Sequence, residues 1–211
     1  MSLSKRAAYD PFKRAFDVVG ALIVLILTLP IQLVVAVLVA ARLGRPVFFR
    51  QVRPGRDGKL FTLLKFRTMI QADAELGPAA DNRRLTGFGK ALRSTSLDEL
   101  PTLINVFRGQ MSMVGPRPLL PAYLNRYTPT QARRHEVRPG ITGLAQVRGR
   151  NSIDWETKFE YDVEYVDNRS LGLDARILFE TVTTVLRRDG ISAEGAVTMD
   201  EFRGEDGRSS S

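Results

Sequence analysis

The run VVGALIVLILTLPIQLVVAVLVAA, Val18 to Ala41, contains no Asp, Glu, Lys or Arg in 24 residues and carries one proline, Pro30, near its middle. It is long enough for a membrane helix. Basic residues flank it on both sides: Lys5, Arg6, Lys13 and Arg14 before it, and Arg42, Arg45, Arg50, Arg53 and Arg56 after it. Positive charge beside an apolar segment marks the cytoplasmic side of a membrane, and here both ends carry it. The pattern therefore predicts a re-entrant hairpin that turns at Pro30, with both termini cytoplasmic. Each arm amounts to about 16–18 Å of helix, well short of a hydrocarbon core of about 30 Å. A proline lacks the N–H and clashes with the preceding turn, and the backbone groups it frees need partners in lipid. Thr28 and Gln32 are the nearest side chains that supply them. A kinked helix spanning once is the alternative. A signal peptide fits poorly, because the apolar run is long and no small-residue cleavage site follows it. Phe12 and Phe16 lie at helical spacing in an amphipathic lead-in.

The chain has 211 residues, a formal net charge of +8, no cysteine and a single histidine, His135. Disulfides, thiolate metal sites, a cysteine nucleophile and any multi-histidine metal site are excluded. A basic domain beside a membrane segment is drawn to anionic headgroups. Phosphate-bearing substrates or nucleic acid would suit the same charge.

The division reads as a membrane segment over 1–45, a catalytic domain over 46–190, and a polar tail over 191–211 expected to be mobile. Pro46–Gln51 and Leu60–Thr68 predict two strands around an Asp57-Gly58 turn. Gln71–Arg84 reads as a loop or short helix, and Thr86–Arg93 as a helix. Ser96 opens a helix that runs through Phe107 to Gly109. Met111–Val114 is a short strand, and Thr128-Pro129 caps another helix. Val137–Arg150 reads as loop and extended chain. Two helices follow, near Ile153–Val166 and Asp174–Arg188. The second, with Ile177, Leu178, Thr181, Val182, Val185 and Leu186 on one face, suits the core or the membrane surface. The fold class is α/β in content, an irregular α+β membrane-associated domain without the regular alternation of a doubly wound sheet.

Asp98-Glu99 is the first candidate for chemistry. At a helix start, acids are favoured by free N–H groups and the dipole, and Ser96 with Glu99 also fits a purely structural capping box. In the functional reading, an exposed, ionised Asp98 acts as a nucleophile on phosphorus. Neighbouring positions diverge by about 100° on a helix, so the two acids take different roles. The second candidate is a set of cations suited to a diphosphate. Lys65 and Arg67 alternate on one strand, Arg93 precedes Asp98 by five residues, Arg117 lies between two prolines, and Arg138 precedes a Pro-Gly turn. No dinucleotide or phosphate-loop fingerprint is present. His135 reads as a packing or helix-end residue, and Trp155, Phe159 and Val163 as core. Asp154, Asp162 and Asp167 read as solvated helix acids before metal ligands. A lipid- or nucleic-acid-binding module has no need of two acids amid its cations, and a metal-dependent phosphohydrolase would use Asp98 with water alone.

The stretches KFRTM (Lys65–Met69), RSTSLDELPTLINVFRGQMSMVGPRP (Arg93–Pro118), RPGITGLAQVRGRN (Arg138–Asn151) and KFEYDVEYV (Lys158–Val166) resemble the bacterial sugar transferases, the small monotopic phosphoglycosyl transferases. The resemblance implies transfer of a phosphosugar from a UDP-sugar to undecaprenyl phosphate, with release of UMP, at the cytoplasmic face of the bacterial inner membrane. It implies Asp98 as nucleophile and Glu99 as its neighbouring acid or base, Mg²⁺ as cofactor with Asp98 as a ligand, and Lys65, Arg67, Arg93, Arg117 and Arg138 as substrate contacts. The implied partners are the donor, the lipid acceptor and the membrane, with no nucleic acid. Family members often place Ser-Pro at the helix break, where this chain has Leu29-Pro30 and leaves the hydroxyl's part to Thr28.

Overall fold

The computed structural model describes residues 3–70, 84–149, 153–187 and 201–204. Its first element is one long helix, α1, Leu3–Leu43, which includes Pro11 and Pro30. Within Tyr9–Leu43 a stretch reaches a mean hydropathy of 3.0, enough by length and composition to cross a membrane. One face of α1 is bare: Ile26, Leu27, Leu33 and Val37 are each more than 60% exposed. An apolar face of this size is uncommon on a protein in water and is consistent with membrane association. The other face is packed. Ala21 belongs to an apolar cluster with Phe61, Leu63, Leu103, Val106 and Met111. Val35, Val39 and Leu43 belong to another with Phe66 and Leu92.

Helical assignment runs through Pro30, so the expected turning point is not a gap in the helix. The polar groups singled out beside it are engaged with one another. The Thr28 hydroxyl donates to the Val24 carbonyl at 2.6 Å, and the Gln32 amide donates to the Thr28 oxygen at 3.0 Å. Such a back-bond to the carbonyl four residues earlier favours a bend.

After α1 the chain forms an antiparallel hairpin of β1, Phe48–Pro54, and β2, Leu60–Phe66, in register from Phe48↔Phe66 to Pro54↔Leu60. Asp57 and Gly58 both hold positive φ, 57° and 71°, so the turn signal in the sequence is real. The free edge of β2 is closed by side chains instead of a third strand. Helices α2, Gly87–Ser94, and α3, Thr102–Phe107, follow. From α3, Asn105 donates to the Thr62 carbonyl at 2.8 Å and accepts from the Leu64 amide at 3.1 Å, and Thr102 donates to the Leu64 carbonyl at 2.9 Å. An otherwise unpaired sheet edge is thereby satisfied, and α3 is fixed in register along β2.

The remaining elements build a second half. Strand β3, Ser112–Val114, pairs in parallel with β4, Gly140–Thr142. Gly115 and Gly140 pass so closely that a Cβ on Gly140 would strike the Gly115 backbone. Helix α4, Pro129–Ala132, opens with the capping box of Thr128 and Gln131. The expected loop after Val137 also contains a helix, α5, Leu144–Arg148. Helices α6, Trp155–Asn168, and α7, Leu171–Arg187, close the domain over Val114, Val137, Leu144, Tyr165, Val166 and Ile177. On α7, Ile177 is buried but Val182 is exposed, so its apolar face is only partly used by the core. The expectation for Gln71–Arg84 falls outside the described residues except for Arg84.

The polar tail departs from its expected mobility at residues 201–204. Phe202 is buried in an aromatic cluster with Tyr123, Trp155 and Phe159, and Arg126 donates to its carbonyl. One apolar side chain in a hydrophilic segment suffices to dock it.

Candidate active site

The site begins where α2 crosses the end of β2. Thr86 caps α2 by accepting from the Gly89 amide, and Gly89 lies against the Thr68 carbonyl where no Cβ would fit. That approach brings Arg93 back to the strand, and its Nε donates to the Thr68 hydroxyl at 3.0 Å. Ser96 then adopts φ 55°, a left-handed conformation that turns the chain into a short 3-10 turn, Leu97–Glu99. Capping boxes need extended backbone at the first residue. The Ser96 side chain accordingly makes no cap bond, and the structural reading of Ser96 with Glu99 is overturned. The Glu99 carboxylate instead bridges outward, accepting from Lys65 Nζ on β2 and from Arg117 Nη2 at 3.0 Å.

The two adjacent acids live in different surroundings, as the angular spacing requires. Burial alone would raise the Glu99 pKa, but Arg117 and Lys65 outweigh it and hold the carboxyl down at about 2. Arg117 is held correspondingly more basic by Glu99. Lys65 is lowered by burial, against the attraction of Glu99. Asp98 is only 8% exposed, and its carboxylate makes no hydrogen bond among the described residues. Burial, seconded by the charge of Glu99, pushes its pKa up to about 6, against the pull of Lys65, Arg93 and Arg117. The result is a carboxylate that is still mostly ionised at neutral pH, poorly solvated, and ringed by cations committed elsewhere. Such a group is a strong nucleophile and a ready oxygen ligand.

Five of the seven anticipated residues therefore meet: Asp98, Glu99, Lys65, Arg93 and Arg117. Two do not. Arg67 is buried and donates to the carbonyls of Leu43, Gly44 and Arg45, capping the end of α1. The alternation that linked it to Lys65 ends with β2 at Phe66. Arg138 donates from Nε to the Gly109 carbonyl at 2.9 Å, beside Arg14, which holds the Val106 and Phe107 carbonyls. Both arginines close the end of α3.

Three side chains behind the site escaped the sequence reading. Arg134 is 2% exposed and donates through Nε and Nη2 to Asp162 at 3.0 and 2.7 Å, through Nη1 to the Tyr127 hydroxyl, and through Nη2 to the Arg117 carbonyl at 2.7 Å. Asp162 is thus a buried ion-pair partner, not a solvated acid. Lys158 is buried over the Trp155 ring, 4.8 Å from its centroid, and burial with the nearby Arg117 charge lowers its pKa to about 8. His135 packs as anticipated, its Nδ1 lying 3.1 Å from the Gly55 carbonyl. Asp154 caps α6 and Asp167 pairs with Arg133.

No cluster of three His, Asp or Glu exists among the described residues. A magnesium ion usually takes one or two carboxylates and completes its octahedron with phosphate and water oxygens. Asp98, free of hydrogen bonds, fits that role, whereas Glu99 is occupied by two cations.

The sequence pattern of the family described as bacterial sugar transferase matches residues 8–188. An uncharacterized sugar transferase, EpsL, of Bacillus subtilis (strain 168) is 53% identical over 193 residues, covering 91% of this chain and 96% of its own length. The undecaprenyl-phosphate galactose phosphotransferase of Salmonella typhimurium is 40% identical over 90% of this chain. The UDP-glucose:undecaprenyl-phosphate glucose-1-phosphate transferase of Klebsiella pneumoniae is 46% identical over 81% of it. The chain spans 43% and 39% of the length of these last two relatives.

Proposed function

Because the chain belongs to the bacterial sugar transferase family, we propose that it moves a sugar-1-phosphate from a UDP-sugar to undecaprenyl phosphate at the cytoplasmic face of the inner membrane. The observation that carries this reading is Asp98: buried, without a hydrogen bond among the described residues, and adjacent to three cations. An Asp98 oxygen attacks the β-phosphorus of the donor, the bond from that phosphorus to the bridging oxygen breaks, and UMP leaves with the electron pair. An oxygen of the lipid phosphate then attacks the aspartyl-phosphosugar, the Asp98–phosphorus bond breaks, and the carboxylate is restored. Bound Mg²⁺ would supply charge neutralisation of the diphosphate, held by Asp98. Lys65, Arg93 and Arg117 grip phosphate oxygens. Glu99, whose pKa of about 2 makes it a poor base, orients Lys65 and Arg117.

The membrane geometry of this proposal is a helix bent at Pro30 that returns to the same face. The two halves of α1 belong to clusters containing Leu63 and Phe66 of β2, about 10 Å apart along a strand. On a straight helix Ala21 and Val35 would stand about 21 Å apart. The Thr28 back-bond supports the same bend. The decisive experiment is intact-mass analysis of the protein after exposure to a UDP-sugar with Mg²⁺. A phosphosugar adduct on the native chain that is missing from Asp98→Asn, together with loss of UMP release in that variant, is the expected outcome. An unchanged rate of UMP release in Asp98→Asn refutes the mechanism.

A further inference from the structure

A second set of cations lies at the foot of α1. A shallow open cleft is lined by Asp10, Lys13, Asp17, Arg56, Ser112, Val137, Arg138 and Arg169. Its carboxylates are already served. Arg169 holds Asp10 at 3.0 Å, Asp17 accepts from the Met113 amide at 2.9 Å, and Lys13 stands between Asp17 and Asp174. Two guanidinium groups are not. Arg138 uses only its Nε, on the Gly109 carbonyl. The Arg56 side chain makes no hydrogen bond among the described residues and only a loose 3.9 Å approach to Asp57. Arg14 adds further positive charge nearby, and burial together with Arg14 and Arg56 makes Arg138 easier to deprotonate, against the pull of Asp17 and Asp10. Four cations, Lys13, Arg56, Arg138 and Arg169, line the cleft against two acids, and those acids are bonded to Arg169 and to the Met113 amide.

The height of the cleft follows from the sequence. Asp10, Lys13 and Asp17 share the face of α1 that meets the domain, while Phe12 and Phe16 are exposed on the other side. The apolar run begins at Val18, directly after Asp17. If that run lies in hydrocarbon, the cleft lies among the headgroups, which occupy several ångströms outside the core. We infer that Arg56 and Arg138 form a second anion site, separate from Asp98, that takes the phosphate of an anionic phospholipid headgroup. Paired guanidinium donors match phosphate oxygens in geometry and charge, and the site fixes the domain's orientation on the bilayer. The inference rests on α1 being a membrane helix and is independent of the role given to Asp98.

The test uses the full chain in a neutral detergent, with thermal unfolding followed through its single tryptophan, Trp155. Three probes are titrated: short-chain phosphatidylglycerol, phosphatidylcholine of the same chain length, and inorganic phosphate. Saturable stabilisation by phosphatidylglycerol, with none from phosphatidylcholine and much weaker action of phosphate, is expected. Arg56→Gln and Arg138→Gln should each weaken the apparent affinity about tenfold, the loss typical of one charge-assisted bond. Arg56→Gln breaks no hydrogen bond among the described residues, so it keeps the test open should Arg138→Gln fold poorly. Asp98→Asn should leave the titration unchanged. Undiminished affinity in Arg56→Gln overturns the assignment. So does loss of the effect in Asp98→Asn, which would place the lipid at the nucleophile. Equal potency of inorganic phosphate overturns the lipid assignment in favour of a free anion.

Discussion

Replacing Asp98 by Asn should make the protein more stable at neutral pH while abolishing transfer. The Asp98 carboxyl ionises at about 6 in the fold against an ordinary 3.8, chiefly because it is buried and secondly because Glu99 is next to it. The folded state then binds more protons than the unfolded chain between those two values, so stability declines as pH rises through that window. Below pH 3.8 the carboxyl is neutral in both states and the cost vanishes. Above pH 6 the full cost is present, about 3 kcal/mol. Asparagine has nearly the same shape and no charge, and Asp98 has no hydrogen bond to lose. Asp98→Asn should therefore gain up to about 3 kcal/mol at pH 7, or about 6–12 °C in midpoint for a chain of this size. The assay is thermal unfolding of both proteins in the same detergent from pH 4 to pH 8. The curves should converge near pH 4, separate as pH rises through about 6, and run parallel above it. A variant that is equal to or less stable than the native chain at pH 7, or a gap that does not change with pH, refutes the picture of a desolvated and unpartnered carboxylate.

The same ionisation sets a pH profile. Single-turnover adduct formation by the free enzyme should halve near pH 6 and fall about tenfold for each further pH unit, whereas a nucleophile with an ordinary carboxyl would hold its rate to about pH 4; adduct mass against pH distinguishes them. Arg134, through its bond to the Arg117 carbonyl, should act as a positioning residue. Arg134→Lys should raise KM for the UDP-sugar, yet add less than about twofold in an Arg117→Gln background; full multiplication of the two effects in a kinetic double-mutant cycle contradicts coupling through Arg117. Gly140→Ala should destabilise the fold by about 3 kcal/mol, because the new Cβ meets the backbone of Gly115 and Thr142, which cannot move aside; denaturant unfolding in detergent measures this, and a near-neutral result shows that the β3–β4 crossing can relax.

The parts legible in the sequence were those written in local pattern. The apolar run announces α1, Asp57-Gly58 announces the hairpin, Thr128-Pro129 announces its capping box, and the acid pair is found clustered with Lys65, Arg93 and Arg117. What stayed hidden depends on partners far away in the chain. Arg67 and Arg138 carry the same charge as Arg93 and Arg117, and only tertiary structure sends them to the open carbonyls at the ends of α1 and α3. The alternation rule placed Arg67 beside Lys65, but a strand that stops at Phe66 no longer obeys it. Asp162 and Arg134 are 28 positions apart, so no helical spacing links them. Ser96 matched a capping box in composition, and a left-handed backbone at that residue cancelled it. Phe202 is one aromatic in a hydrophilic stretch, too little for periodicity to register, yet enough to fill a cluster of rings.

Arg67 clasps the carbonyls of Leu43 and Gly44 at the end of α1, and Lys65, two residues earlier near the end of β2, touches Glu99 beside Asp98, the proposed nucleophile. On the proposed function, anchor and reactive carboxylate are thus joined through one short stretch of chain, Lys65 to Arg67. Bilayer thickness then becomes an input to catalysis: a helix that settles deeper or shallower carries Asp98 with it, relative to the layer in which lipid phosphates lie. Turnover should consequently track the acyl-chain length of the host membrane, as a float tracks the water level.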